Sequence, residues 1–555
     1  MHLPQPVLSA LARQWRGRAR FVVLAGAHGE HLAALVDAWR ADPQRPTRLH
    51  LIVLGAPLAL PGVLRSEMEA GAVVQDAFSA PLASALNQVD ASVDAFLLGD
   101  VRDCGARWIG AMRRLAASGA TLHAYALEGA QLRALASVGF ACKTQDGHYH
   151  AQFDQRHGHV AQNAPAARHA LVIGAGLAGS AICQRLAARG WRVSLVERHA
   201  QPAQEASGNH AGIFMPLLSK DDNVPTRLVR AAYLYALRYW QDLGGIGQAF
   251  AGAQCGVLQL ARDPGHAQVQ RAIAAAHGYP PEFAEWLEPD RASARLGGPA
   301  PDGAWWFAQG GWARPSSLCA AMLGAAGGAV ERHVGVGAIR LVRDGDRWQA
   351  VDAGGACIAT APLAILACGT GAVNLAQGAA LPLTPVRGQV THLDAAQAPQ
   401  LPFVLCRESY MTPPVEGIVS VGASYDLDAD PALRASSQQE NLDRLAQMLG
   451  RPIDGAGLAG RVGFRCVAPD RLPLVGALPD AARFEGGGQR DNVARWPGLQ
   501  ALLGYASRGL IWAPLAAELL AARLEGEPLP MEANLAAALD PARFLLRQHR
   551  PNVKY

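Results

Sequence analysis

The sequence lacks the features that mark membrane-spanning and disulfide-rich proteins. No apolar run reaches the roughly 18–20 residues that a membrane-spanning helix requires. The N-terminal residues have no apolar stretch followed by a small-residue cleavage site, so we expect no signal peptide. The nine cysteines are scattered, without a CxxC pair or a His/Cys cluster at zinc spacing. These absences predict free thiols, no metal site and a cytoplasmic location.

Charged residues are also few. They make up 17% of the chain, against 50% hydrophobic residues, and this balance excludes a largely disordered protein. The net charge of +4 permits a nucleic-acid partner without requiring one. A chain of 555 residues is too long for one hydrophobic core, so we expect about two to four domains.

Two parts of the chain alternate strand and helix patterns. In the first part, 1–155, short buried strands are predicted at 21–25, 49–54, 95–98 and 121–125. A polar, proline-containing linker is predicted at 156–167. The second part has predicted strands at 170–173 and 192–196, helices at 177–189, 220–250 and 510–524, and a hairpin around 344–346. Strands separated by helices predict an α/β fold with two Rossmann-like starts.

A glycine-rich turn follows the first strand of the second part. The segment Gly174-Ala175-Gly176-Leu177-Ala178-Gly179 fits GxGxxG, in which glycines permit a tight turn, a close approach to a pyrophosphate and close packing of helix on strand. The helix that follows directs free N–H groups towards the phosphates. The next strand ends at Glu197, whose carboxylate suits the hydroxyls of an adenosine ribose. The turn predicts a bound dinucleotide but does not distinguish FAD from NAD.

Two further segments resemble the D-amino-acid oxidase/glycine oxidase superfamily. They are the loop Ala206-Ser207-Gly208-Asn209 with Gly212, and the late segment Gly504-Tyr505-Ala506-Ser507-Arg508-Gly509-Leu510. The resemblance implies FAD, with an FAD-binding Rossmann subdomain and a mixed-sheet substrate subdomain over 168–530, followed by a basic tail at 531–555. It implies cofactor contacts from Gly174–Gly179, Glu197, Arg198, Ala206–Asn209, Gly212, Gly369, Gly509 and Leu510.

The run 206–220, ASGNHAGIFMPLLSK, resembles the C-terminal domain of the MnmC family. The likeness continues in order through Gly310–Trp312, Pro385–Val390, Val421–Tyr425, Gly463–Cys466, Asp470–Gly476 and Ser507–Leu510. The resemblance implies oxidation of 5-carboxymethylaminomethyl-(2-thio)uridine at the tRNA wobble position. Hydride leaves the methylene carbon, the imine hydrolyses, and glyoxylate and an aminomethyl uridine result. It also implies tRNA as the substrate and dioxygen as the electron acceptor.

The substrate carboxylate needs a cation, preferably a fork-shaped guanidinium. Arg465 is our prediction, because the superfamily places its carboxylate-binding arginine in this segment, and a buried structural ion pair is the alternative. Tyr410 and Tyr425 are predicted hydrogen-bond partners, with core packing as the alternative for each. Arg508 is a second candidate for the carboxylate, one position later than the glycine oxidase pattern. No general base is assigned, since hydride transfer depends on alignment more than on acid/base chemistry.

The first part resembles the S-adenosylmethionine-dependent methyltransferase domain of the same family, with damaged functional positions. Gly26 and Gly29 remain in the nucleoside loop, but the second strand ends Val53-Leu54-Gly55, without an acid for the cofactor ribose. Gly99 stands at the catalytic aspartate position. We therefore predict a degenerate domain, kept as a scaffold or tRNA-docking surface. The alternative is a bifunctional enzyme in which Asp100 takes over and S-adenosylmethionine still binds.

Two basic clusters are candidate phosphate contacts. They are Arg13, Arg16, Arg18 and Arg20 near the start, and Arg543, Arg547, His549, Arg550 and Lys554 near the end. A solvated basic face is the alternative for each cluster. Two rival functions also remain at this stage: a free glycine or amino-acid oxidase of the same fold, and a flavin-binding, tRNA-associated protein without turnover.

Overall fold

The computed structural model describes residues 3–26, 30–101, 105–145, 148–153, 167–396, 398–453, 455, 458–484, 486 and 492–548. Residues 156–166 of the predicted linker 156–167 and the tail residues His549, Arg550 and Lys554 lie outside the described residues. The chain divides into two compact units: residues 1–166 with 521–537, and residues 167–520 with 538–555.

This division differs from the predicted boundary at 530. Residues 521–537 group with the first unit, because their apolar side chains Leu529, Met531 and Leu535 are buried and Leu529 N–H donates to the carbonyl of Asp90 at 3.1 Å. Within the same unit, Arg48 Nη1 lies 2.6 Å from Glu527 Oε1.

The described part of the first unit is built on one eight-stranded sheet. Its elements up to residue 152 are α1 (Gln5–Trp15), β1 (Arg20–Ala25), α2 (Glu30–Ala41), β2 (Arg48–Leu54), β3 (Val63–Met68), β4 (Val73–Phe78), α3 (Leu82–Gln88), β5 (Val93–Asp100), α4 (Ile109–Leu115), β6 (Ala116–Ala126), α5 (Gly129–Ser137), β7 (Lys143–Gln145) and β8 (His148–Gln152). The strand order is β3-β4-β2-β1-β5-β6-β8-β7.

The five central strands of this sheet, β4-β2-β1-β5-β6, are parallel. They include the four predicted strands, and the predicted α/β class is confirmed. Apolar clusters cover both faces of the sheet, as expected for parallel strands. The edge strands β3, β7 and β8 are antiparallel and were not predicted, since their sequences are short and partly polar.

The remaining elements of the chain follow residue 167. They are β9 (His169–Ile173), α6 (Leu177–Ala187), β10 (Arg192–Glu197), β11 (Gly212–Phe214), α7 (Val224–Asp242), β12 (Gly252–Ala253), β13 (Val257–Leu260), α8 (Pro264–His277), β14 (Glu285–Leu287), α9 (Pro289–Leu296), β15 (Ala304–Phe307), β16 (Gly311–Ala313), α10 (Pro315–Ala326), β17 (Val330–Val334), β18 (Arg340–Asp344), β19 (Arg347–Val351), β20 (Cys357–Ala361), β21 (Leu363–Leu366), β22 (Thr384–Asp394), β23 (Val404–Cys406), β24 (Tyr410–Met411), β25 (Ile418–Gly422), α11 (Ala435–Leu449), β26 (Ala459–Val467), β27 (Leu474–Pro479), β28 (Arg495–Leu503), α12 (Gly509–Glu525), α13 (Ala533–Ala538) and α14 (Arg543–Gln548).

The second unit contains a six-stranded sheet in the order β17-β10-β9-β21-β28-β27. All its strands are parallel except β27. Strand β9 has β10 on one side and β21 on the other, so the order reverses between β9 and β21. Ligands of open α/β sheets bind at the carboxyl ends of the strands beside such a reversal.

A second, mixed sheet has eight strands in the order β14-β15-β13-β23-β24-β25-β22-β26. Two three-stranded sheets, β11-β16-β12 and β18-β19-β20, complete the unit's strand pairing in the described residues. The predicted hairpin is confirmed, because Asp344 pairs with Arg347 across a two-residue turn. The predicted last helix corresponds to α12 but is not the last, since α13 and α14 follow it. No helix among the described residues is long and apolar enough to cross a membrane.

Candidate functional site

A cavity of about 930 Å³ lies in the second unit, at the carboxyl ends of β9 and β21. Its walls come from the glycine turn, the end of β10, the loop 203–215, the segment 367–375, strands β22 to β26, and the segment 502–511. The cavity therefore extends from the parallel sheet to the mixed sheet. This volume lies in the upper range of small-molecule and cofactor sites.

The glycines of the turn are required by close approaches. Gly174 has φ of +102°, and a Cβ there would lie 2.8 Å from the carbonyl oxygen of Ala367, which follows β21. A Cβ on Gly176 would lie 3.0 Å from Ser207 Oγ, and one on Gly179 would overlap the carbonyl oxygen of Gly174. Helix α6 begins at Leu177 with no side-chain cap on Gly176. The turn thus presents bare backbone and a helix N-terminus to the cavity, which suits a pyrophosphate.

Glu197 lies at the end of β10 with its carboxylate beside the turn. Oε2 accepts a hydrogen bond from the N–H of Ala175 at 2.7 Å, and Oε1 accepts one from His199 N–H at 2.9 Å. These two bonds fix the carboxylate at the cavity wall. Arg198, which also lines the cavity, forms an ion pair with Glu205.

The loop Ala206–Asn209 is attached at both of its ends. Ser207 Oγ accepts the N–H of Leu177, the first residue of α6, at 3.1 Å. On the opposite side, Arg461 of β26 donates to Asn209 Oδ1 at 3.0 Å and to the carbonyl oxygens of Gln204 and Glu205 at 2.7 and 2.6 Å. Burial lowers the pKa of Arg461. This arginine was missed in the sequence, although strand alternation places it on the same face of β26 as Arg465.

Helix α12 begins at Gly509, where it packs against the glycine-rich turn and against Gly212, which follows the loop Ala206–Asn209. A Cβ on Gly509 would lie 3.2 Å from Leu177, and a Cβ on Gly212 would lie 3.1 Å from Leu510. Gly369, with φ of +54°, lines the same cavity beside Cys466. The predicted cofactor residues therefore line one cavity, together with the positive ends of α6 and α12, except Ala175, Gly179 and Gly208, which are not part of its lining.

Arg465 lies in β26 at the mixed-sheet end of the cavity. Its Nη1 donates to the carbonyl oxygens of Ser424 and Arg387 at 3.1 and 3.3 Å. It forms no salt bridge with any described carboxylate, so the structural ion pair considered from the sequence is not found among the described residues. Burial lowers the pKa of its guanidinium, with Tyr410, Tyr425 and Asp426 opposing that effect. A partly buried guanidinium that forms no salt bridge within the described chain is suited to bind an anionic ligand.

The two predicted tyrosines flank this guanidinium in different environments. Burial raises the pKa of Tyr410 to about 12, so its hydroxyl stays protonated and can donate a hydrogen bond. The ring of Tyr425 lies 5.7 Å from the Arg465 guanidinium carbon and is half exposed. Tyr410 therefore forms the inner wall of this end of the cavity, whereas Tyr425 lies at its mouth.

Arg508 is a second, partly buried arginine of the cavity lining. Its Nη1 donates to the carbonyl oxygen of Met215 at 3.3 Å, and burial lowers its pKa. No described carboxylate forms a salt bridge with it. Its backbone carbonyl accepts the first hydrogen bonds of α12, so a cation stands at the positive end of a helix. This arrangement favours negative charge nearby.

The first unit has a much smaller space at the carboxyl ends of β1 and β5. It measures about 30 Å³ and is lined by Leu3, Val7, Ala25, Gly26, Leu97–Gly99, His123–Tyr125 and His148. The N–H of Gly26 donates to the carbonyl of Leu97 at 3.0 Å, which joins the two strand ends. A space of this size holds about one water molecule, whereas small-molecule sites have roughly 300 Å³ or more. Gly29 and the side chain of Asp100 lie outside the described residues.

Most described arginines of the two basic clusters form ion pairs or hydrogen bonds within the protein. Arg18 and Arg16 form ion pairs with Asp94 and Asp42 at 2.5 and 3.4 Å. Arg543 is buried, binds Asp470 at 2.9 Å and donates to the carbonyls of Pro473 and Leu472. The predicted phosphate contact for Arg543 is therefore wrong, because its guanidinium is buried and its N–H groups already donate to Asp470 and to backbone carbonyls. Arg13 is exposed and stays a candidate.

Comparison with known proteins follows the same two-part organisation. A family model described as FAD dependent oxidoreductase (DAO) matches residues 169–523. The tRNA 5-methylaminomethyl-2-thiouridine biosynthesis bifunctional protein MnmC of Azoarcus sp. (strain BH72) is 41% identical, with 98% of this chain and 92% of that protein covered. The protein of the same name from Aromatoleum aromaticum is 42% identical with the same coverage. The chain belongs to the MnmC family.

Solved structures support the fold of the second unit of this MnmC-family chain. Glycine oxidase from Geobacillus kaustophilus matches with a TM-score of 0.55 and 21% identity, covering 68% of this chain and 99% of that one. Iminodiacetate oxidase from Chelativorans sp. BNC1 matches with a TM-score of 0.54 and 24% identity, covering 65% and 96%. The predicted superfamily, the FAD dependence and the oxidoreductase class are confirmed. Among the described residues, no group of three or more side chains could hold a metal ion.

Proposed function

We propose that this protein removes the carboxymethyl group from 5-carboxymethylaminomethyl-(2-thio)uridine at the wobble position of tRNA. The observation that carries the proposal is the partly buried guanidinium of Arg465, which forms no salt bridge with a described carboxylate and lies at the end of the cavity remote from the glycine turn in an MnmC-family chain. An FAD enzyme with a carboxylate-binding cation in that position suits an N-substituted glycine. The carboxymethylamino group is an N-substituted glycine whose nitrogen carries the uridine.

The reaction oxidises the bond between the methylene carbon and nitrogen to an imine, and water then releases glyoxylate and an aminomethyl uridine. When bound, FAD supplies the two-electron acceptor for this oxidation. Arg465 binds the carboxylate, and the protonated hydroxyl of Tyr410 donates a second hydrogen bond on the inner wall. Together they orient the methylene carbon, and such orientation contributes most of what the chain's residues add to the chemistry.

The roles of the cofactor-binding residues follow from their positions in the cavity lining. Glu197 would hold the adenosine ribose, the glycine turn and Ser207 would hold the pyrophosphate, and the start of α12 at Gly509 and Leu510 would stabilise negative charge on the reduced flavin. Arg508, at that same helix start, stabilises negative charge there or serves as a second carboxylate contact. Dioxygen is the proposed electron acceptor, and the cytoplasm, where tRNA is found, is the proposed location.

We further propose that the first unit transfers no methyl group. Its second strand ends Val53-Leu54-Gly55, without an acid for the cofactor ribose, and Gly99 stands where the family has its catalytic aspartate. The MnmC relatives are named bifunctional proteins. In contrast to that name, this chain would carry out only the oxidative step. The unit then acts as a scaffold or as a tRNA-docking surface.

The experiment is nucleoside analysis by mass spectrometry after incubation with tRNA that carries the carboxymethylaminomethyl group. The expected product is the aminomethyl nucleoside, without its methylated form when S-adenosylmethionine is added. Retention of the carboxymethyl group rejects the proposal. Fast turnover of free glycine, with the nucleoside peaks of the modified tRNA left unchanged, would instead favour an amino-acid oxidase.

A further inference from the structure

A loop at the mouth of the cavity carries an unusual concentration of exposed apolar side chains. We call residues 425–433 the rim loop. Tyr425, Leu427 and Leu433 are 52%, 78% and 49% exposed, and they are three of the seven large hydrophobic side chains that are exposed in the described chain. The other four are single valines elsewhere. Isolated exposed apolar residues need no explanation, but a cluster beside a functional cavity indicates a binding surface.

Hydrogen bonds from the buried side chain of Arg387 fix the conformation of the rim loop. This side chain has no exposed surface, and its guanidinium donates to the carbonyl oxygens of Asp430 and Ala432 at 2.8 and 2.6 Å and to Asp426 Oδ2 at 3.0 Å. Gln389 adds reciprocal bonds to the backbone of Arg434 at 2.9 Å. A buried arginine with this many bonds to one loop fixes the loop's shape before any partner binds.

The carboxylates of the rim loop are paired within the protein. Asp426 binds Arg387, and Asp428 and Asp430 bind Arg434 at 2.8 and 2.9 Å. Their charge is therefore partly compensated, and the surface that projects from the loop is apolar and aromatic. Such a surface offers stacking contacts and few phosphate contacts.

The rim loop is continuous with the substrate end of the cavity. Tyr425 lines the cavity and contacts Arg465, the proposed carboxylate anchor, while Leu427 lies two residues further on, outside the cavity lining. A nucleoside whose side arm reaches Arg465 must leave its flanking nucleotides at this mouth. Unstacked bases of single-stranded RNA bind aromatic and apolar side chains.

We propose that the rim loop is the docking surface for the unpaired anticodon-loop nucleotides that flank the modified uridine, with Tyr425 as an aromatic stacking platform and Leu427 as an apolar contact for a base. This inference rests on the proposed function. It assigns recognition of the RNA context to a surface outside the reacting centre, so the free nucleoside and the RNA should respond differently to changes in Leu427.

The test compares Leu427→Ala with the wild-type holoenzyme on two substrates. One is an anticodon stem–loop RNA that carries the carboxymethylaminomethyl uridine, and the other is the free modified nucleoside. Loss of an apolar contact with a base is expected to weaken RNA binding, measured by fluorescence anisotropy, about fivefold or more. The KM and kcat for the free nucleoside should stay unchanged, because Leu427 lies outside the cavity.

Val269→Ala is the matched control, since Val269 is 50% exposed on α8 and lies outside the cavity lining. It should leave RNA binding unchanged. Equal RNA affinity for Leu427→Ala and the control overturns the inference, and so does an equal rise in KM for the nucleoside, which would make the loop a lid. Failure of the wild-type protein to oxidise either substrate contradicts the proposed function instead.

Discussion

Nη1 of Arg461 lies 3.0 Å from Oδ1 of Asn209, and this hydrogen bond joins strand β26 to the loop that resembles the flavin-contacting loop of the superfamily. The same guanidinium donates to two backbone carbonyls of that loop. The strand that carries the proposed carboxylate anchor Arg465 thus also holds the loop that borders the cofactor. Cofactor and substrate positions are linked through one strand.

Arg461→Lys is expected to lower FAD affinity about tenfold, because an ammonium cannot reproduce the planar fork that reaches three oxygens. FAD affinity is measured by titration of the apoprotein with protein fluorescence. Arg451→Lys, on an exposed residue that does not line the cavity, is the control. If the two variants bind FAD alike, the loop does not depend on Arg461.

Arg465→Lys is expected to raise KM for the modified nucleoside about 10- to 100-fold, since charge-assisted bonds to a carboxylate contribute about 1.5–3 kcal/mol. FAD content should stay at the wild-type level. Inhibition by glycolate, a simple carboxylate probe, should weaken by a similar factor. Unchanged glycolate inhibition would show that Arg508 or another group binds the carboxylate.

S-adenosylmethionine is expected not to bind the holoenzyme, because the second strand ends Val53-Leu54-Gly55 without an acid for the cofactor ribose. Isothermal titration calorimetry and transfer of a labelled methyl group to aminomethyl-uridine tRNA measure this directly. Methyl incorporation above the level of a heat-inactivated control would mean that the domain is still active.

The first unit is expected to lose stability as the pH falls from about 6.5 to 4. Neither ring nitrogen of buried His50 has a hydrogen-bond partner, and burial lowers its pKa well below the ordinary value, while burial lowers the pKa of His123 to about 4. Between these pH values the unfolded chain binds protons that the folded unit does not, so stability rises with pH across this window.

For His123 alone, the change between pH 7 and pH 5 corresponds to about 2 kcal/mol. Hydrogen exchange of peptides from β2 and β6, corrected for intrinsic rates, resolves this unit from the second one. His123→Asn should reduce the pH dependence by about that amount. If the pH dependence of stability is the same in His123→Asn as in the wild type, groups other than His123 cause it.

The sequence predicted several of the parallel strands, although not β4, β21 and β28, because buried parallel strands are short, continuous apolar runs between helices. Strands β1, β2, β5, β6, β9 and β10 all follow this pattern. The antiparallel edge strands have shorter and more polar sequences that carry little signal. The assignment of 521–537 to the first unit depends on long-range contacts such as Arg48 with Glu527, which no local pattern encodes.

The glycine turn and Glu197 could be predicted because their spacing follows from how backbone meets a pyrophosphate. Arg461 could not, since its role depends on a loop some 250 residues earlier in the chain. The same holds for Arg543, whose charge suggested a surface contact although the fold buries it against Asp470. Charge in a sequence indicates what a residue can bind, and only the fold shows whether it is already bound.

Anaerobic reduction of the enzyme-bound FAD by carboxymethylaminomethyl-uridine tRNA tests the central claim most directly. We expect full bleaching of the flavin absorbance with about one equivalent of modified uridine and one glyoxylate released per FAD, as a two-electron oxidation of one substrate requires. Flavin that stays oxidised in the presence of this tRNA, yet is bleached by free glycine, would contradict the account.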